Sequence, residues 1–295
     1  MLASHYEELI ESFLVVDSTM NQGRAGHIWP VILGRSFAQL AGLTLTAMLV
    51  AIVLRTFQNR GKNAPKFDFV EIFAGVGHLS REMIRAGYKG CAFDINFDPT
   101  TQDALQACGL KLFVEAVGLV KRNGLAWLGT QCSSFVILCR RQAQRALDNF
   151  FLGPGCGGED SPIFVQVGNG LMEVSSLLFF LCYLLEVWVV LEQPMTSCMP
   201  ECPSMKGVLF YTQSARYVTY MGHYGGPSCK PLQLHSTWPA IAGLVCPRPA
   251  GGGEALVTRH GDQFTGNKTL LVQSQAYTPE FGRKVAEICR SQWQD

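Results

Sequence analysis

The sequence predicts an α/β protein with a doubly wound, mostly parallel sheet that carries helices on both faces. Two observations lead to this prediction. From position 67 onward, short apolar runs alternate with longer segments whose apolar residues recur at helical spacing. The chain has 295 residues, of which 48% are hydrophobic, so it can bury a sizeable core. Strands that alternate with helices pair in parallel and need helices on both faces of the sheet.

The charge and cysteine counts exclude several classes of protein. Lys and Arg total 24 and Asp and Glu total 23, which leaves a formal net charge of +1. This balance provides no overall attraction to nucleic acid, and the hydrophobic share excludes a disordered chain. The eleven cysteines are an odd number without a CxxC pair. They favour reduced thiols and an intracellular protein.

Residues 1–66 form an N-terminal extension ahead of a domain at 67–295. The segment from Ser36 to Leu54 carries no charge over 19 residues, which is a marginal length for a membrane-spanning helix. Basic residues follow it at Arg55, Arg60, Lys62 and Lys66. Because basic residues collect at the cytoplasmic end of a span, they predict a single-pass protein with its domain in the cytoplasm. A buried helix of a soluble cap is the alternative.

The first elements of the domain follow from its patterns in order. FDFVEIFAG predicts a strand that ends in glycine. HLSREMIRAG predicts an amphipathic helix with Leu79, Met83 and Ile84 on its inner face. GCAFDIN predicts the second strand, and helical patterns follow over 101–109 and 112–122.

The remaining elements complete the sheet. GLAWLGT and VWVVLEQ predict the third and fourth strands. The apolar run at 174–191 predicts a buried helix that passes into the fourth strand after Glu186, rather than a membrane span. YVTYMGHYGG and PLQLHSTW predict a closing pair of strands. AYTPEFGRKVAEICRSQW predicts an amphipathic helix whose inner face carries Phe281, Val285 and Ile288.

Chemically informative residues follow the predicted strands. Gly75 and Gly77 leave the first strand, and Asp94 ends the second. Cys132 lies just after the third strand, and Glu192 ends the fourth. Because ligands of such sheets bind outside the carboxyl ends of the strands, these residues are predicted to share one binding edge.

The glycine turn favours one kind of ligand. Gly75 and Gly77 allow a ligand to approach the backbone, and an acid at Asp94 can accept hydrogen bonds from ribose hydroxyls. Ser80 stands where a dinucleotide-binding fingerprint has its third glycine, and Glu71 would repel a pyrophosphate. A sulfonium cation with an amino group suits that carboxylate better.

Four segments in order, EIFAGVGHLS, FDIN, LGTQCSSF and VLEQP, resemble the motifs of DNA cytosine-5 methyltransferases. These enzymes belong to the class I S-adenosylmethionine-dependent superfamily. The resemblance covers roughly residues 67–224, and a later YGxxxxKP is similar to one in methyltransferase-like proteins of eukaryotes. It implies a Rossmann-like methyltransferase sheet, S-adenosylmethionine as cofactor, and DNA or RNA as partner, with a nuclear location if the partner is DNA.

The resemblance also implies roles for individual residues. Cys132 corresponds to the nucleophile that attacks carbon-6 of cytosine, and Glu192 to the acid that steadies and protonates nitrogen 3. Lys230 corresponds to a basic group of a later catalytic motif. A duplex base would have to be flipped out to reach the thiol. Cofactor contacts are implied at Glu71, Phe73, Gly75, Gly77 and Asp94.

The sequence departs from the family pattern at several positions. The family's proline before the cysteine is Gln131 here, and its Glu-Asn pair is Glu192-Gln193. Its later Gln-x-Arg-x-Arg motif keeps one basic residue, because Leu232 stands in place of the second arginine. The segment after Trp238 is too short for a target-recognition domain. The family's third strand is expected between residues 109 and 122.

These departures keep other hypotheses open. The first alternative is a catalytically degenerate module, tethered to a membrane, that keeps the fold. The second is a methyltransferase for a small molecule or a protein, in which Cys132 is part of the pocket wall. Buried structural thiols and strand-end acids are the ordinary interpretations of Cys132 and Glu192. The ordinary interpretation of three arginines, at 140, 141 and 145, is a solvated helix face rather than a phosphate contact.

No metal is predicted. A zinc site could be drawn through Cys198, Cys202, His223, Cys229 and His235, but their spacing fits zinc-ligand patterns poorly. The sequence leaves the oligomeric state open.

Overall fold

The computed structural model describes residues 65–249, 257–260, 263–266 and 268–293. The predicted N-terminal extension, including its apolar segment 36–54, therefore lies outside the described residues, apart from the two positions before the first strand.

A six-stranded, mostly parallel mixed sheet forms the centre of the fold, and it confirms the predicted α/β class. Its spatial order is β2-β1-β3-β4-β6-β5. The first four strands are parallel, whereas β6 runs antiparallel to both β4 and β5. The strands are β1 (Phe67–Ile72), β2 (Gly90–Phe93), β3 (Val120–Leu128), β4 (Trp188–Pro194), β5 (Ala215–Tyr220) and β6 (Pro231–Ser236).

Helices cover both faces of this sheet. The helices are α1 (His78–Arg85), α2 (Ala107–Gly118), α3 (Arg140–Ala143), α4 (Ile163–Leu184), α5 (Pro203–Tyr211), α6 (Lys268–Gln273) and α7 (Pro279–Trp293). One face packs against α2, α4 and α5, and the other against α1 and α7. A separate hairpin joins β7 (Val257–His260) to β8 (Gln263–Gly266).

The chain order places a topological switch point at the middle of the sheet. From β1 the chain crosses to β2 on one side and then to β3 on the other. The crevice between the carboxyl ends of β1 and β3 is where sheets of this type bind ligands. Because β6 is reversed, the residues just before it, rather than those after it, reach this same edge.

Three predicted elements match the structure closely. The predicted closing pair of strands is the antiparallel pair of β5 and β6. The apolar run at 174–191 belongs to α4 and β4, as predicted, although α4 begins earlier, at Ile163. The three inner residues predicted for α7 are buried, namely Phe281, Val285 and Ile288.

The prediction for Ile84 is wrong. Leu79 and Met83 are fully buried, but Ile84 is 54% exposed. At ~100° per residue, Ile84 lies about 140° around the helix from Leu79, so its side chain points away from the sheet. Ser80 and Glu82 are the other buried residues of this helix.

The predicted helix at 101–109 is also wrong over most of its length. Aspartate side chains close local turns there, because the backbone N–H groups of Thr100 and Leu105 donate to Asp98 and Asp103. One helix, α2, replaces the two predicted helices, and β3 begins at Val120, inside the second of them. Between β2 and β3, a stretch that the structure describes in full, no third family strand is present.

Among the described helices, α4 is long and apolar enough to span a membrane. Half of its most apolar window is buried inside the protein. It packs mainly against α2, α5 and β4. A core helix and a spanning helix both satisfy this criterion of length and composition.

Candidate functional site

The loop after β1 is a tight turn in left-handed backbone geometry. Phe73, Gly75 and Gly77 have φ angles of 62°, 59° and 69°. A Cβ atom built on Gly75 would meet no atom within 4 Å, so the turn is open at this point. Left-handed geometry favours glycine, and the open space above Gly75 allows a ligand to approach the backbone.

Asp94, after β2, holds this turn in place. Its Oδ2 accepts a hydrogen bond from the backbone N–H of Gly75 at 2.8 Å. Its Oδ1 accepts from the backbone and side-chain nitrogens of Asn96 at 2.9 and 2.8 Å. A carboxylate can accept about four hydrogen bonds, so Asp94 retains one acceptor position for a ligand hydroxyl.

Glu71 is a fully buried carboxyl that anchors α1. Its Oε2 accepts hydrogen bonds from the backbone nitrogen of Ser80 at 2.9 Å and from its hydroxyl at 2.5 Å. These bonds satisfy an otherwise unpaired N–H in the first turn of α1. The second oxygen, Oε1, is buried without a hydrogen-bond partner among the described residues. Burial raises the pKa of Glu71 to about 7.

Phe73 packs the glycine turn against α2, on the face of the sheet opposite to α1. Its ring packs edge-on against Phe113 of α2, with ring centroids 5.9 Å apart. Phe113 also contacts the ring of Phe93 at the end of β2. These contacts fix the wall of the crevice beside the glycine turn, where the resemblance implies a cofactor contact.

Glu192, near the end of β4, is a second buried carboxyl with a hydrogen bond to only one of its two oxygens. Its Oε2 accepts a hydrogen bond from the hydroxyl of Tyr277 at 2.9 Å, whereas its Oε1 is buried without a partner among the described residues. Burial raises the pKa of Glu192, and the positive charge of Lys230 and the Tyr277 hydrogen bond both act in the opposite direction.

Cys132 lies in the loop after β3, within the electrostatic field of Glu192 and Lys230. Burial raises the pKa of its thiol to about 11, the charge of Lys230 lowers it, and the charge of Glu192 raises it further. The Lys230 ammonium donates to the carbonyl of Ser274 at 3.1 Å. The three residues of the predicted catalytic set therefore lie within electrostatic range of one another at one edge, and the raised pKa of Cys132 favours the protonated thiol at neutral pH.

Sequence reasoning missed two side chains that organise this edge. Tyr277, just before α7, accepts a hydrogen bond from the indole nitrogen of Trp127 at 3.0 Å and donates to Glu192. Gln193 holds the loop before Cys132, because its amide donates to the carbonyl of Thr130 at 2.7 Å. Tyr277 lies far from the other site residues in sequence and belongs to no recognisable motif. Gln193 was noticed only because it replaces the asparagine of the family's Glu-Asn pair.

Arg145 corrects the interpretation of the three arginines as one solvated face. Arg140 and Arg141 are exposed, but Arg145 is 4% exposed. Its guanidinium makes five hydrogen bonds, of 2.5 to 3.2 Å, to groups of Ser134, Phe151, Val165 and Asn169. It also lies 3.8 Å from the ring centre of Phe135. Arg145 therefore fixes the loop after Cys132 and is not available to phosphate.

A groove of about 420 Å³ lies beside Cys132. Its wall is formed by the loop after β3 and the first turns of α4, namely by Gln131, Ser133, Ile163, Phe164, Val167 and Gly168. None of these lining residues is charged, so the groove suits a neutral, partly apolar group.

The residues of the conceivable zinc set do not converge. Among the described residues, no three His, Cys, Asp or Glu side chains are grouped closely enough to hold a metal ion. All eleven cysteines are unpaired thiols in the structure. Comparison of the chain with protein-family models found no matching family, and comparison with curated proteins found no matching sequence.

Proposed function

We propose that this chain is an S-adenosylmethionine-dependent methyltransferase with a Rossmann-like sheet, acting on a cytosine ring through Cys132. One observation carries the proposal. Two buried carboxyls, Glu71 and Glu192, each keep one oxygen without a partner among the described residues at the switch-point edge. A buried acceptor without a partner costs about 1–3 kcal/mol, so such atoms mark a place for a ligand that donates hydrogen bonds or carries positive charge.

S-adenosylmethionine fits the residues on its half of the edge. Its sulfonium and ammonium groups are cationic, and Glu71 lies beside the open glycine turn with a free oxygen. Asp94 has one acceptor position left for a ribose hydroxyl. When bound, this cofactor would supply a methyl group on a positively charged sulfur.

The other half of the edge supports chemistry on a pyrimidine. The Sγ atom of Cys132 adds to carbon-6 once its proton has left, and Lys230 stabilises the thiolate. Glu192 holds a proton at nitrogen 3 through its free Oε1. Carbon-5 then becomes nucleophilic and accepts the methyl group. A water molecule at the open edge then takes the carbon-5 proton, the bond between carbon-6 and sulfur breaks, and its electron pair returns to Cys132 as thiolate, which restores the aromatic ring and the free enzyme.

A titration of S-adenosylmethionine into the full-length protein tests the cofactor. We expect micromolar binding by calorimetry, lost in Asp94→Ala because the glycine turn is no longer held. The matched control is Asp98→Ala, which removes a half-buried aspartate that closes a local turn with Thr100 and is not one of the predicted site residues. Absence of binding to folded wild-type protein would contradict the proposal.

Replacement of Cys132 by serine tests the chemistry. Methyl transfer to cytosine should be lost, whereas cofactor binding should persist because the thiol lies on the acceptor side of the edge. The measurement is transfer of a labelled methyl group to DNA and RNA, with cofactor affinity measured on the same preparation. Full activity of Cys132→Ser would remove the covalent mechanism.

The rival function is a non-catalytic module that keeps the cofactor site. The raised pKa of Cys132 favours it, because a thiol with a pKa of about 11 is almost entirely protonated at neutral pH. Tight cofactor binding without transfer to DNA, RNA, proteins or small molecules would support this rival. Transfer that survives Cys132→Ala would instead indicate an acceptor that needs no cysteine nucleophile.

Membrane attachment through residues 36–54 is a separate proposal that rests on their uncharged sequence and on the basic residues around them. Retention of the full-length protein in membranes after carbonate extraction would support it. Complete solubility without detergent would contradict it.

A further inference from the structure

A buried chain of hydrogen bonds links β3 and β4 through Tyr277, which lies in the segment just before α7. The indole N–H of Trp127 donates to the Tyr277 hydroxyl at 3.0 Å, and that hydroxyl donates to Oε2 of Glu192 at 2.9 Å. An indole nitrogen can only donate, so the phenol oxygen must accept from it. The single phenol proton is therefore directed at Glu192, and Oε2 must be an unprotonated oxygen.

The position of the Tyr277 hydroxyl is fixed from several sides. Its ring packs edge-on against Trp127, with centroids 5.9 Å apart, and stacks on Phe281 at 5.2 Å. A Cβ atom on Gly129 would lie 3.1 Å from the hydroxyl and 2.8 Å from the carbonyl oxygen of Phe73. The hydroxyl therefore has no second position close by, and the Glu192 carboxyl is held in one orientation.

We propose that Tyr277 is a positioning residue that assigns different tasks to the two oxygens of Glu192. Oε2 is occupied by the phenol, which leaves Oε1 as the oxygen that faces the acceptor and that carries the proton whenever the carboxyl is protonated. This inference rests on the proposed function for the identity of the acceptor, but its geometric basis is independent of that identity.

The charges around Glu192 determine how its titration should respond. Lys230 and the hydrogen bond from Tyr277 stabilise the carboxylate, while burial disfavours it. Cys132 also faces it and is neutral as a thiol. The charge of Glu71 also acts on Tyr277 and raises the pKa of its phenol. Removal of the Tyr277 hydroxyl takes away one stabilising contact, so the pKa of Glu192 should rise.

The test is the titration of Glu192 in full-length Tyr277→Phe. Protein labelled with ¹³C at glutamate carboxyls is titrated by NMR, and Glu192→Gln identifies the resonance. Because the phenol hydrogen bond stabilises the charged carboxylate more than the neutral acid, its loss should raise the midpoint by about one pH unit or more. An unchanged midpoint would overturn the proposal.

Tyr224→Phe is the matched control. Tyr224 packs against the same ring, Phe281, with centroids 5.2 Å apart. Its hydroxyl, however, donates to the carbonyl of Leu244 at 3.0 Å and not to a carboxylate. Its loss should therefore leave the Glu192 midpoint unchanged. An equal shift in both variants would mean that Tyr277 acts only through general packing and would overturn the proposal.

Incorporation of 3-fluorotyrosine at position 277 provides a second variant that keeps the shape of the ring. The fluorinated phenol is more acidic and a stronger donor, so the Glu192 midpoint should fall, opposite to the shift in Tyr277→Phe. A rise or no change would contradict the assignment of the phenol as donor.

Cofactor binding and turnover separate this inference from the proposed function. We expect Tyr277→Phe to bind S-adenosylmethionine as the wild type does. With an active acceptor, kcat should fall at least tenfold at unchanged KM for the cofactor, and activity should extend to higher pH. If wild-type protein binds no cofactor but the NMR shifts occur as expected, the proposed function fails and the role of Tyr277 stands. If transfer proceeds but Tyr277→Phe leaves the midpoint and kcat unchanged, only the role of Tyr277 fails.

Discussion

Buried charge occurs in two regions of this protein, and the two regions treat it differently. Behind the loop after β3, Arg145 donates five hydrogen bonds to neutral protein groups and lies over the ring of Phe135. At the carboxyl edge, Glu71 and Glu192 each use one oxygen internally and leave the other without a partner among the described residues. A charged group whose hydrogen bonds are all made within the protein stabilises the fold. A charged group with an oxygen that has no hydrogen-bond partner is suited to binding a ligand.

Replacement of Arg145 gives the largest expected effect of this comparison. Arg145→Met removes the donor of five hydrogen bonds, so the buried oxygens that accept them lose that partner. The free energy of unfolding should therefore fall by about 4 kcal/mol. Urea unfolding at neutral pH measures the loss. Arg140→Met is the control, since its exposed side chain should change stability by less than about 0.5 kcal/mol. A loss below about 1 kcal/mol in Arg145→Met would show that its hydrogen bonds are replaced by water.

Glu71 should make the stability of the unliganded protein depend on pH. Its pKa is raised from 4.5 to about 7 on folding, so the folded state binds the proton more tightly than the unfolded state. The unfolding free energy should therefore fall as pH rises from the unfolded value to the folded one, by about 3 kcal/mol, and then stay level. Glu71→Gln should remove this slope. Denaturant titrations from pH 4 to 8 compare the two, and equal slopes would contradict the assignment.

A smaller effect that distinguishes Glu71 from Arg145 is the release of a proton when the cofactor binds. A cation beside Glu71 favours its carboxylate, so the protein should release about half a proton when S-adenosylmethionine binds at pH 7. Calorimetry in buffers of different ionisation enthalpy measures this release. It should disappear in Glu71→Gln and persist in Arg145→Lys. Binding without proton release in the wild type would place the cofactor's positive charge away from Glu71.

Much of the fold was predictable because strands covered on both faces read as continuous apolar runs. The runs around Val70 and Val190 therefore identified β1 and β4, and the residues that follow them identified the edge. The stretch between β2 and α2 was not predictable in this way. Its turns depend on aspartate side chains that bond to nearby backbone nitrogens, and these compete with a helical pattern of similar composition.

The candidate site was predictable where it is local and not where it is assembled from distant segments. The glycine turn and Asp94 lie within one strand-helix-strand unit, so spacing alone brought them together. Tyr277 and Glu192 are 85 residues apart, and no periodic pattern connects them. Arg145 was misread because a charged residue near two other arginines suggests a solvated surface. Only the fold reveals that its acceptors converge from three separate segments, namely the loop after β3, the turn at Phe151 and the first turns of α4.

The packing of α7 on α1 has a consequence for synthesis of the chain. Tyr88, just after α1, and Ala286 of α7 are joined by a hydrogen bond across 198 residues. At ribosomal speeds of about 5–20 residues per second, α1 is made about 10–40 s before its partner helix. During that interval the apolar side chains of Leu79 and Met83 have no α7 to cover them. The buried face of α1 can therefore be completed only after α7 has been made, so this part of the core closes late in synthesis.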